Sequence, residues 1–226
     1  MRRRLTQVDI AAEDQEQLDR QRRYRVAADR MTEHLAQQPG VEKVALIGSV
    51  ARPLWREVPP YYRRSGIAVA HRCKDLDLAV WASRLDGLNA LRHERIKVTQ
   101  ALPTDRGGVP VQEIEMFLFE PGTDRYLGRV CYFGKCVAGK ADCAVPGCGT
   151  HPFLKQHEGF ALWPETLDPS RMMLLFDRAG GGLIGRASAL PSVIEEASRM
   201  IEVTVTIPEH RRGELAELVE RWRPDD

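Results

Sequence analysis

Long hydrophobic runs are missing from this 226-residue chain. No stretch approaches the roughly 20 apolar residues that span a bilayer. The basic start MRRR is followed over residues 9–22 by polar and charged side chains, not by the apolar core of a secretory signal. A cytoplasmic protein with no membrane partner is therefore expected. A dominant charge is missing too: 33 Lys and Arg stand against 32 Asp and Glu, a net charge of +1. Such a chain cannot hold nucleic acid by bulk electrostatics, so any anion site must be built from a local cluster. Cysteine is scarce, at five, and a reducing compartment disfavours disulfides. Internal repeats are absent. With 43% apolar and 29% charged residues the composition is that of a globular protein, long enough for one large domain or a core with an appended piece.

The periodicity predicts an amphipathic helix over 13–37, carried by Leu18, Val26, Ala27, Met31 and Leu35 and ended by Pro39-Gly40. A first strand follows at about 43–47. Residues 52–74 hold six basic residues, among them Arg52 and Arg56, against the single acid Glu57, with Pro59-Pro60 and Tyr61-Tyr62 interspersed. This insertion reads as a basic, aromatic loop with little regular structure, either a solvated surface or a contact for phosphates and bases. A second strand is expected at 75–82, a helix from about 85 to 101, a turn over 103–108 and a third strand at 109–119. Beyond it, Arg171–Phe176 reads as a short helix, the run GGGLIG at 180–185 as a hinge or loop, and the stretch from Met200 as a strand and then a helix, a possible homodimer element.

Chemistry concentrates in two places. In the first, the apolar run Val44–Ile47 closes on Gly48-Ser49, and Asp75 and Asp77 then flank Leu76 in a second apolar run. Acids at i and i+2 of a strand point to one face. Two carboxylates side by side repel unless a divalent cation joins them, and magnesium is held by one or two carboxylates plus substrate phosphates. The bland alternative is a pair of solvated acids on an edge strand. On the third strand Glu113 and Glu115 share a face with Val111, Phe117 and Phe119. Acids there are costly unless paired or ligating a metal, and Glu113 is expected to pair with an arginine of the insertion.

Apolar strand, Gly-Ser, apolar-Asp-apolar-Asp-apolar and then a third acid on a neighbouring strand: this order resembles the nucleotidyltransferase superfamily, which includes DNA polymerase beta and the minimal nucleotidyltransferases. The likeness covers about residues 20–120. It implies an α/β (α+β) fold with a mixed sheet flanked by helices. It further implies a magnesium-dependent enzyme that moves a nucleoside monophosphate from an NTP to a hydroxyl on a small molecule, a protein or an RNA end. Carried over residue by residue, Gly48, Ser49 and Arg52 would hold the nucleotide. Asp75, Asp77 and Glu115, with Glu113 as the alternative third acid, would be catalytic and bind one or two Mg2+. The chain departs from the pattern in two ways: the interval from Ser49 to Asp75 is long, and the third acid is Glu where Asp is usual. A carboxylate displaced by about 1 Å can cost on the order of a hundredfold in rate. A catalytically inactive protein of the same fold, binding a nucleotide or a partner like an antitoxin, is the alternative.

The second place is Cys131, Cys136, Cys143 and Cys148, spaced C-x4-C-x6-C-x4-C, with His151 and His157 as substitute ligands. Four thiolates suffice for a structural Zn2+ that folds a segment poor in apolar residues. The spacing is looser than that of zinc knuckles, and unliganded thiols are the bland reading. A zinc module docking on nucleic acid or protein is a third functional possibility. The fifth cysteine, Cys73, has no partnered base and reads as an ordinary thiol. These features divide the chain into a core at 1–126 (with the basic insertion), a cysteine-rich segment at 127–168 and a C-terminal region at 169–226.

Overall fold

Thr6 starts the first helix by a reciprocal cap. Its hydroxyl accepts the Asp9 N–H at 3.2 Å while the Asp9 carboxylate accepts the Thr6 N–H at 2.8 Å. The computed structural model describes residues 6–102, 108–136, 148, 151–156, 160 and 162–195. The predicted turn over 103–108 is thus described only at Gly108, and the predicted strand and helix after Met200 lie outside the described residues.

Helix α1 spans Gln7–Leu35, six residues earlier than the apolar spacing predicts, because the capping pair and not the first apolar residue sets its start. Strand β1 (Val41–Ile47) follows the left-handed Gly40, and the chain then passes through β2 (Leu54–Glu57) and β3 (Val69–Ala70) before reaching β4 (Leu76–Ala82). Helix α2 (Leu88–Ala101), β5 (Ile114–Phe119), β6 (Tyr126–Val130), β7 (Leu154–Lys155), β8 (Met173–Asp177), β9 (Gly182–Leu183) and β10 (Ile194–Glu195) complete the order. The fold is mixed α/β. Seven strands form one sheet in the order β7-β6-β5-β4-β1-β8-β9, and β10-β2-β3 form a small second one. Only β4 and β5 run parallel in the large sheet, joined by the α2 crossover.

Each face of the large sheet has its own apolar layer. One carries Leu46, Leu78, Val80, Met116 and Leu118 and is covered by Tyr24, Ala28, Met31 and Leu35 of α1 and Leu91 and Val98 of α2. The other carries Ala45, Ile47, Ala79, Trp81, Phe117 and Phe119, with Leu162, Leu167 and Met172 laid across it.

Several expectations need correction. Met173–Asp177 is a strand and not a helix: its apolar run pairs antiparallel with β1 inside the sheet, where burial on both faces suits a continuous apolar stretch. The glycine run beyond it forms the hairpin to β9, with the Asp177 carboxylate accepting the Ala179 and Gly180 N–H groups at 3.0 and 3.2 Å. The basic insertion contains strands β2 and β3, pinned by the buried Leu54 and a Trp55–His71 stack with ring centroids 3.8 Å apart. Strand β5 begins only at Ile114, and Glu113 belongs to a single 3-10 turn at 111–113. Strands β8 and β9, from beyond 169, and β7, from the cysteine segment, join the same sheet as β1, β4 and β5.

Candidate functional site

Strand register brings the predicted acids to the Gly-Ser turn. Asp77 is the cross-strand partner of Ile47 on one side and of Glu115 on the other. Neighbouring strands lie about 4.8 Å apart, so the two carboxylates leave adjacent backbone positions on one face. That face is the one bearing Ala79, Trp81, Phe117 and Phe119; the period-two apolar file of each strand ends in an acid near the strand's start. Asp75 lies just before β4, partly buried.

Gly48 makes the approach possible. Its φ is +73°, a backbone region that strains any other residue, and a Cβ there would stand 2.7 Å from Asp77 Oδ2. The turn at 48–52 is held from behind by α1. Gln21 donates to the carbonyls of Ser49 (3.3 Å) and Arg52 (2.7 Å), and the buried Arg25 donates to those of Val50 (3.0 Å) and Arg52 (3.1 Å). The turn itself is a 3-10 helix over Gly48–Ala51, which takes up the Val50 and Ala51 N–H groups within it. Ser49 follows Gly48 in the same turn, and its hydroxyl opposes the effect of burial on the Cys73 thiol. Burial pushes that thiol's pKa up, which leaves Cys73 unreactive.

The charges at the site are not balanced. Burial, then repulsion from Glu115 and Asp75, raises the Asp77 pKa to about 7, with Arg129 opposing. Burial and repulsion from Glu115 and Glu113 raise Asp75, with Arg20 and Lys74 opposing. Glu115 is bridged to Arg129 of β6, whose guanidinium also stands over the rings of Phe117 (5.5 Å) and Phe160 (5.1 Å). Glu113 takes a different place. It accepts from Arg20 at 3.0 Å and from the Tyr24 hydroxyl, both on α1, so its predicted partner in the insertion is replaced by one on the helix. Of the two third-acid candidates, Glu115 is the one beside Asp77. Among the described residues no three His, Cys, Asp or Glu side chains form a ready-made metal cluster.

Arg52 stands over the Trp55 ring at 5.1 Å and lines a cavity of about 210 Å³ with Gly48, Trp163, Glu165, Thr166 and Arg171. Sequence reasoning missed Arg129, Trp163 and Arg171. Arg129 was open to discovery as an alternating position on a strand next to β5, whereas the other two come from a loop that only tertiary structure brings to Gly48.

The cysteine segment turns back on itself at residues 151–154. The Phe153 N–H donates to Cys136 Sγ at 3.1 Å, the Cys148 thiol lies 3.6 Å from the Leu154 carbonyl, and the Cys131 N–H donates to the Phe153 carbonyl at 2.7 Å. The His151 carbonyl closes the same turn by accepting from the Leu154 N–H. Cys143 and His157 lie outside the described residues. No helix among the described residues is long and apolar enough to cross a membrane. Comparison with family models, curated proteins and solved structures returns no match.

Proposed function

We propose that this protein is a nucleotidyltransferase that transfers a nucleoside monophosphate from an NTP to a hydroxyl acceptor, with Asp75, Asp77 and Glu115 as its acidic centre. The observation that carries the reading is the position of Asp77, in register with Glu115 and 2.7 Å from where a Gly48 Cβ would be. A glycine turn cleared for close approach, directly against paired acids, suits a triphosphate bound beside a divalent ion.

The donor set fits magnesium. Asp77 and Glu115 are hard carboxylates in register, with Asp75 just before β4, and their repulsion, together with burial behind the raised Asp77 pKa, is what a bound dication would relieve. Magnesium held by Asp75, Asp77 and Glu115 would supply neutralisation of the phosphate charge. The chain's own groups do the rest. The backbone of the Gly48-Ser49 turn and Arg52 bind phosphate oxygens, and the Arg129 bridge orients Glu115. Glu115 takes the proton of the attacking hydroxyl as its oxygen bonds to the α-phosphorus, and the bond to the β-phosphate breaks to release pyrophosphate.

The cysteine segment fits zinc as a structural ion. Cys136 and Cys148 contact consecutive residues of one turn, and an N–H aimed at sulfur stabilises a thiolate. Neither Cys131 nor His151 joins this pair in a group of three among the described residues, which leaves Cys143 as the sequence candidate to complete the set.

A second reading is a nucleotide-binding protein of the same core without transfer, favoured by the Arg129 bridge that already engages Glu115. A transfer assay with α-labelled NTPs, Mg2+ and an acceptor screen separates the two. Transfer with pyrophosphate release, lost in Asp77→Ala and Glu115→Ala and retained in Glu113→Ala, supports the enzyme. Magnesium-dependent binding without turnover on any acceptor supports the second reading.

A further inference from the structure

The cavity beside Gly48 has a chemistry that the acidic centre does not use. Trp163 at its rim is 80% exposed, the most exposed of the large apolar side chains described, Val8 included. An indole left this open has a free π-face to offer. Arg52 and Arg171 converge on the same space, and neither forms an ion pair or donates a side-chain hydrogen bond among the described residues, although Glu165 lines the cavity with them. Thr166 adds a hydroxyl. At about 210 Å³ the space is smaller than a pocket for an entire drug-sized ligand. It suits one part of a longer molecule whose remainder lies along the Gly48 turn toward Asp77.

We infer that this cavity is the nucleoside subsite: the base stacks on Trp163, and Arg171 with Arg52 grips the phosphates where they leave the sugar. The assignment rests on the nucleotidyltransferase reading and extends it, by giving the recognition of the nucleoside to the segment at 163–171, beyond the strands that carry the acids. Stacking reads every base through its π-face, so the subsite favours a nucleotide over bare polyphosphate without choosing strongly among bases. The two guanidiniums recognise the shared anionic part, and Gly48 keeps the passage between cavity and acids open.

Calorimetry with a non-hydrolysable NTP and, separately, inorganic tripolyphosphate, each with Mg2+, tests the assignment on wild type, Trp163→Ala, Trp163→Phe and Arg171→Ala. Loss of one stacked base weakens binding by about tenfold. The expected result is that drop for the NTP in Trp163→Ala, recovery in Trp163→Phe and no change for tripolyphosphate in either; Arg171→Ala weakens both ligands. Trp163→Ala that binds the NTP like wild type, or loses NTP and tripolyphosphate equally, overturns the subsite while leaving the acidic centre in place. Wild type that binds neither ligand overturns the underlying reading together with the subsite.

Discussion

At the scale of single residues, Asp77 is held at a cost. Its pKa of about 7 in the folded chain lies above its ordinary 3.8, so the native state binds the proton more tightly than the unfolded chain. Stability is therefore unaffected below pH 4, falls as pH rises from about 4 to 7, and has lost the full amount above 7. Asp77→Asn removes the titration. In metal-free buffer the variant should melt higher than wild type at pH 8, by the equivalent of about 4 kcal/mol, and nearly equally at pH 4. Thermal melts across that range check it. The same variant should lose transfer, so that stability and activity move in opposite directions. That Asp77 and Glu115 share a face was legible because strand periodicity sets it, whereas the same periodicity put Glu113 on that face too and could not separate the two glutamates. Nor was the partner of Glu113 legible, since Arg20 stands 93 residues away and nothing local announces a helix side chain reaching there.

Among the elements, the turn at 48–52 shows how a short motif depends on what lies behind it. Gly-Ser could be read in the sequence, but its carbonyls are held by Gln21 and Arg25, which local patterning assigns merely to a polar stretch of α1. Gly48→Ala places a Cβ in a left-handed position and against the Asp77 carboxylate. The expected cost is about 2 kcal/mol in urea denaturation, with a loss of nucleotide affinity of at least about tenfold. Unchanged stability would mean that the carboxylate gives way freely. Strand β8 was misread as a helix for a related reason. A short apolar run carries no period of its own, and only its pairing with β1 decides it. In β4 the alternation survives and the sequence reading stands within a residue, whereas in β5 it holds only from Ile114 to Phe119.

Across the whole molecule, the mixed sheet draws strands from three stretches of chain that composition separates, and its last-joined strand on one edge, β7, comes from the cysteine segment. A structural metal there would secure that edge. Purified protein should carry about one zinc per chain, as read by native mass spectrometry. Cys136→Ser and Cys148→Ser should lose it, and chelation should lower the melting temperature. Metal-free protein with an unchanged melt would remove zinc from the account. The topology as a whole was beyond sequence reasoning because long-range pairings such as β1 with β8 leave no local trace, whereas the chemistry was partly legible because it follows from neighbours two residues apart.

The central claim, an acidic centre that binds an NTP through a divalent ion beside Gly48, is met most directly by calorimetry of each of the four NTPs with Mg2+ on wild type and on Asp75→Ala/Asp77→Ala. The account predicts magnesium-dependent binding to wild type that the double variant loses while remaining folded. Binding of equal strength in both proteins, or in the absence of Mg2+, would contradict it.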